Sequence, residues 1–179
     1  MSMLKLTPEQ TAGKKRFFHR ARTRAPVAVC WDVFTDHERM GEFTETPARI
    51  VEPGHPERNG LGCVRRLEAL GMRVDELVNY WKPNELFGYH VIASPIVTHH
   101  QGIVRFWSLP DGGTEWVYDM QLVPSKDVLA STPNLVQWLR DGFHNYMGCL
   151  ECECERRAAA FQVPPEPIAL SIRGGQLER

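Results

Sequence analysis

The sequence predicts an α+β domain in which a curved, seven-stranded antiparallel sheet wraps around one long C-terminal helix, with two short helices after the first strand. Three observations carry this. Between Ala48 and Val123 the apolar residues alternate in short runs, the pattern of a strand meander. From about Thr132 to Phe161 the period becomes helical, with Leu135, Leu139, Phe143, Met147 and Leu150 on one face. The 14 Gly and 13 Pro of the 179 residues fall between these runs as turns, not as low-complexity tracts.

The elements follow in order. Residues 1–13 lack periodicity and are expected to form a flexible N-terminus. Lys15 to Thr23 reads as a strand, with Phe17, His19, Ala21 and Thr23 on one face and Arg16, Phe18, Arg20 and Arg22 on the other. Pro26 suits the first turn of a helix, and Val27, Cys30, Trp31 and Phe34 recur at helical spacing to about Thr35. Asp36 is placed to cap a second short helix from His37 to about Phe43. Six strands are then predicted: Ala48–Glu52, Cys63–Ala69, Arg73–Trp81, Leu86–Ala93, Thr98–Leu109 and Thr114–Val123. Pro110-Asp111-Gly112-Gly113 is a hairpin signal. The final helix, roughly 30 residues, would be about 45 Å long. Pro164-Pro165 stops it, leaving 164–179 as a tail. Residues 14–163 are thus one domain.

Composition narrows the function classes. Hydrophobic residues are 42% of the chain and charged residues 24%, a balance that supports a sizeable core and excludes a wholly disordered chain. The net charge of −1 lacks the basic excess of a general nucleic-acid binder, so no nucleic-acid partner is expected. No apolar run reaches the ~18 residues of a membrane span, and residues 1–13 show no apolar signal core. Five cysteines, an odd number, argue against a disulfide scaffold and point to a cytoplasmic protein. A homodimer is compatible with these features.

A sheet covered by a single helix leaves a space beneath it, and such spaces are typical ligand sites. Alternation turns Arg65 inward with Leu67, and Glu76 inward with Val74 and Val78, on consecutive strands. Facing a cavity, they could recognise a ligand, with Arg offering a fork to an anion and Glu accepting from a hydroxyl or amine. Equally, they could be a structural cross-strand pair. His100 falls inward with Gly102, Val104 and Phe106, whereas His99 and His90 fall outward. A neutral imidazole there could act as a general base or a hydrogen-bonding group. His19 shares the inward face of the first strand. Tyr89, Trp116, Tyr118 and Tyr146 could line an apolar pocket and orient a ligand with their polar tips, with Phe143 of the helix stripe beside them.

Two further signals carry less. Cys149, Cys152 and Cys154 sit on the helix, but at 100° per residue Cys154 is turned about 140° from Cys149. The three thiolates cannot then surround one zinc, so no metal site is expected. The basic run Lys14, Lys15, Arg16, Arg20, Arg22 and Arg24 lies mainly along an outward strand face, where surface acids can neutralise it.

Several stretches match a known pattern. Asn59-Gly60-Leu61-Gly62-Cys63-Val64-Arg65-Arg66, Asp75-Glu76-Leu77-Val78 and Lys82-Pro83-Asn84 resemble motifs of the SRPBCC or START-like superfamily, in particular its polyketide cyclase/dehydrase group. Tyr89, Pro95, His100-Gln101-Gly102 and Gly112-Gly113-Thr114 with Tyr118 also resemble it, although many members carry Trp where this chain has Tyr118. The resemblance, over about Lys15 to Phe161, implies the helix-grip fold and, by likeness to plant hormone receptors of the superfamily, a pocket-facing carboxylate at Glu76. It implies a small hydrophobic or amphipathic ligand, lipid-like or polyketide-like, and no cofactor. Two alternatives stand beside ligand binding. One is a cyclase or dehydratase using His100, Glu76 and Arg65. The other is a partner-binding module with Ser94-Pro95-Ile96-Val97 as a lid.

Overall fold

In the computed structural model, residues 13–69 and 71–162 are described. The expected flexible N-terminus, apart from Gly13, and the tail from 164 lie outside the described residues. Alternation builds the sheet: β1 (Lys15–Thr23), β2 (Ala48–Glu52), β3 (Val64–Ala69), β4 (Met72–Lys82), β5 (Leu86–Ala93), β6 (Val97–Ser108) and β7 (Thr114–Pro124). Their order is β1-β7-β6-β5-β4-β3-β2, and every neighbouring pair is antiparallel. Only β1 joins out of sequence order. The chain crosses from one sheet edge to the other through α1 (Val27–Thr35) and α2 (Met40–Phe43). The β6–β7 hairpin forms where Pro110-Asp111-Gly112-Gly113 predicts it. Gly112 adopts a φ of 85°, and the Asp111 carboxylate accepts a hydrogen bond from the Gly113 N–H at 3.0 Å.

The concave face is covered by the long helix α4 (Leu135–Gln162), which is 28 residues in length. Leu135, Phe143, Met147, Leu150, Cys154 and Ala158 form its buried stripe. Burying each large apolar side chain contributes about 1.5–3 kcal/mol, so this stripe holds the helix down. At one end of the trough α1 fills the space between sheet and helix. There Trp31 and Phe34 meet Phe106 and Trp116 edge to face, at centroid distances of 4.8–5.8 Å. At the other end, under the first turns of α4, none of the described residues takes α1's place.

Three local expectations are corrected. Asp36 does not cap a helix beginning at His37; its N–H closes α1 on the Asp32 carbonyl, and α2 starts only at Met40. The segment before the long helix holds a third short helix, α3 (Lys126–Ser131), none of whose residues is buried, so it left no apolar period to read. The long helix therefore begins at Leu135, not near Thr132. Thr132 precedes Pro133 and is held out of helical geometry at φ −132° and ψ 82°.

The basic strand meets acids on the outer sheet face. Arg16 pairs with Asp119 at 2.8 Å, and Arg20 and Arg22 both reach Glu115 at 2.7 Å. Arg24 approaches Glu155 of α4 at 3.7 Å. No described helix is long and apolar enough to cross a membrane.

Candidate functional site

The site starts from one cross-strand pair. Arg65 and Glu76 stand directly opposite each other on β3 and β4 and are 2% and 3% exposed. The Glu76 Oε2 accepts from Arg65 Nε–H at 2.9 Å and lies 2.8 Å from Nη2. The guanidinium lies against two neighbouring rings of β5, with its carbon 4.5 Å from the Tyr89 ring centroid and 5.2 Å from that of Phe87. Burial disfavours the Arg65 charge, but Glu76 and the nearby tyrosines outweigh it and hold the proton on. Burial also lifts Glu76 above the usual carboxylate range, against the pull of Arg65.

Two histidines extend the pair in opposite directions. Arg65 Nη1–H donates to His37 Nδ1 at 3.0 Å, and His37 Nε2–H donates to the Asn59 carbonyl at 3.2 Å. This fixes the tautomer of His37. Burial, with Arg65 beside it, keeps its basicity well below the ordinary histidine value, so the ring is neutral. On the other side, His100 Nδ1 lies 3.6 Å from Glu76 Oε1. Burial, and then Arg65, push the His100 pKa down to about 3, so this ring too is neutral. Its Nε2 lies 3.5 Å from the Tyr89 hydroxyl, which is in turn hydrogen-bonded to the Tyr118 hydroxyl. Burial pushes both phenols up, keeping them protonated.

Gly102 makes this arrangement fit. It pairs with Tyr89 across β5 and β6, and the Tyr89 ring lies over the space a side chain would need. A Cβ at residue 102 would sit 2.4 Å from Tyr89 Cζ.

These groups face a cavity of about 310 Å³ between the sheet and the first half of α4. Arg65, Glu76, Tyr89, His100, Tyr118, Phe143 and Tyr146 all line it. The rest of the wall is largely apolar, from Leu67 and Val74 across to Met120, Leu122 and Leu139. The Tyr146 hydroxyl donates to the Met40 sulfur at 3.2 Å, and burial pushes its pKa up to about 12. Exposed residues Glu45, Glu68 and Trp138 mark the mouth. Ile96 and Val97 close one wall. Their N–H groups donate to the Ser94 hydroxyl at 3.0 and 3.3 Å, and Ile96 accepts from Ser125 N–H at 2.8 Å, so this segment is pinned to the body.

Trp116 is the correction among the expected pocket residues. It faces inward but does not line the cavity. It sits fully buried beneath α1, at 4.8 Å from Phe34 and 5.2 Å from the His19 ring. Alternation gives the face of a strand, not the position along the trough. His19 likewise stays outside the cavity lining and pairs with Glu151 of α4 at 2.6 Å. The three helix cysteines diverge: Cys152 is exposed, Cys149 half-buried, and Cys154 buried in the core with Cys30.

Two neighbours of the ion pair were not expected from the sequence. His37 lies in the turn between α1 and α2, where no period marks a direction; only the tertiary fold sets it on Arg65. Phe87 had a usable signal, because it shares the inward face of β5 with Tyr89.

A scan against protein-family models matches none, and a search of curated proteins finds no match. Solved structures do match. The Zhui aromatase/cyclase from Streptomyces sp. R1128 aligns with a TM-score of 0.68 at 21% identity, over 83% of this chain and 98% of that one. A START superfamily protein from Mycobacterium smegmatis gives 0.62 at 14% identity, over 82% and 98%. The di-domain ARO/CYC BexL from the BE-7585A biosynthetic pathway gives 0.67 at 16% identity, over 88% of this chain and 54% of that one. At these identities the likeness is one of fold.

Proposed function

We propose that this chain, which has the helix-grip fold of the SRPBCC/START-like proteins, polyketide cyclases among them, binds a small hydrophobic or amphipathic molecule between its sheet and α4. The observation that carries this reading is the combination in one cavity of apolar walls and a buried cluster of Arg65, Glu76, His100, Tyr89 and Tyr118. Apolar surface supplies affinity, and a few converging polar groups orient the ligand. The volume, about 310 Å³, suits a ligand of two or three fused rings or a short lipid chain.

A cyclase or dehydratase using Arg65, Glu76 and His100 is the second reading, favoured by their convergence within 3.6 Å. Binding is preferred because a general base works best with a pKa near the operating pH. His100, held down to about 3, is far from that.

Native mass spectrometry of the purified protein tests the proposal. A co-purifying small molecule, released on denaturation, is expected. Gly142 lines the cavity beside its mouth, and an added Cβ there meets nothing within 4 Å. Gly142→Phe should therefore fold and lose that molecule. Bare wild-type protein that also takes up neither aromatic nor fatty-acid probes would overturn the proposal.

A further inference from the structure

We infer that the inner end of the cavity receives a neutral hydroxyl or phenol of the ligand, which donates its hydrogen bond to the Tyr118–Tyr89 pair, and that this end rejects a carboxylate. The inference rests on the ligand-binding reading above and names the chemistry of its ligand.

The first argument follows the protons along the polar chain. Glu76 is ionised, because its Oε2 takes two guanidinium contacts at 2.8 and 2.9 Å. Its other oxygen faces His100 Nδ1 at 3.6 Å. A lone pair on Nδ1 would be repelled there, so Nδ1 carries the ring proton and Nε2 is bare. The bare Nε2 is an acceptor, and the group beside it is the Tyr89 hydroxyl. Tyr89 therefore points its proton at His100. Its oxygen then takes the hydrogen bond from Tyr118. Every proton in the chain runs toward the Glu76 carboxylate. What remains for a ligand at Tyr118 is an oxygen lone pair, and a lone pair calls for a donor.

The second argument counts charge. Arg65 is the one cation lining the cavity among the described residues, and Glu76 already matches it. Its Nε–H goes to Glu76, and an Nη1–H goes to His37. A ligand carboxylate would be a second anion beside Glu76, desolvated and without a cation of its own. A hydroxyl adds no charge and completes the chain. The usual reading of a cavity arginine as an anion fork fails here because the fork is occupied from within.

Three bicyclic probes of one shape separate the outcomes: naphthalene, 2-naphthol and 2-naphthoate, each measured by equilibrium dialysis at neutral pH. 2-Naphthol should bind about three- to tenfold tighter than naphthalene, the range of one neutral hydrogen bond. 2-Naphthoate should bind at least about tenfold more weakly than naphthalene, since its charge is unmatched. In Tyr118→Phe the ratio of 2-naphthol to naphthalene affinity should fall to near one, a change that a purely structural role for Tyr118 would not produce. Equal binding of naphthalene and 2-naphthol to the wild type, or a preference for 2-naphthoate, overturns the inference and leaves the ligand-binding proposal standing. If none of the three binds, the inference falls, and the ligand-binding proposal falls with it only when no molecule co-purifies and fatty-acid probes fail as well. The wild-type ranking needs no variant to fold.

Discussion

Replacing Gly102 by Ala should destabilise the protein by about 2 kcal/mol, and the size follows from one contact. The new methyl would lie 2.4–2.5 Å from Cζ, Cε1 and the hydroxyl of Tyr89. Ordinary carbon contacts begin near 3.5 Å, so the ring must retreat by about 1 Å. Tyr89 is 3% exposed and is held between Arg65 and Tyr118, so there is no slack to retreat into. Overpacking of this kind costs about 1–3 kcal/mol. Breaking the Tyr89–Tyr118 hydrogen bond adds about 1 kcal/mol. The lower entropy of an unfolded Ala returns about 0.4–1 kcal/mol. In urea the midpoint should fall by about 1 M with an unchanged slope. Gly148→Ala is the matched control, because an added Cβ there meets nothing within 4 Å and the residue lies inside α4. It should stabilise by about 0.5–1 kcal/mol. Gly102→Ala within about 0.5 kcal/mol of wild type would refute the reasoning, because surface-like tolerance of that size is incompatible with a locked ring.

Other consequences can be measured directly. His37 and His100 are buried and neutral, so below pH 6.5 the unfolded chain binds protons that the folded chain refuses, and stability should decline on acidification from there toward pH 3. Each histidine adds a slope of up to about 1.4 kcal/mol per pH unit, and chemical denaturation of His100→Gln between neutral and mildly acid pH should show a flatter profile. Glu76→Leu leaves Arg65 buried and unmatched and should cost about 3–5 kcal/mol, while Arg65→Met with Glu76→Leu should recover most of it, as thermal melts of the single and double variants would reveal. The Thr114 hydroxyl donates to the Ala25 carbonyl at 2.7 Å in a fully buried place. Thr114→Val should lose about 1–3 kcal/mol in urea unfolding, because that buried carbonyl is left with only the weak Cys30 Sγ–H donor at 3.8 Å.

Most of the cavity lining was legible because strands have a period of two. Arg65 with Leu67, and Glu76 with Val74, could be turned inward from the sequence alone, and so could Tyr89, His100 and Tyr118. That Arg65 and Glu76 face each other also follows from the short connection at Gly71. Position along the trough was not legible. Trp116 has the same alternation as Tyr118, two residues away, yet α1 covers one and the cavity receives the other. Asp36 has the chemistry of a cap and so points to a helix from His37; the chain uses Asp36 to end α1 instead. α3 buries none of its residues fully and rests on the core through Val128 alone, and one apolar contact makes no period to read. For Trp116, and for the contact of His37 with Arg65, the missing information was tertiary.

The placement of β1 also bears on how the chain is made. β2 to β7 can zip up one hairpin after another, but β1 must wait for β7. Arg16 and Asp119, which pair across those two strands, are 103 positions apart. Closing so long a loop before any contact rewards it slows folding. Until then β7 presents an open edge to other chains, a hazard during synthesis. The arginines along the outer face of β1 keep the waiting strand hydrated and discourage it from pairing elsewhere. α4 follows β7 in the chain and rests partly on β1, through His19 with Glu151 and Thr23 with Glu155. The part of the cavity roof that rests on β1 is complete only once the first and last strands have met, so a ligand held beneath it would stabilise the finished fold rather than the first hairpins.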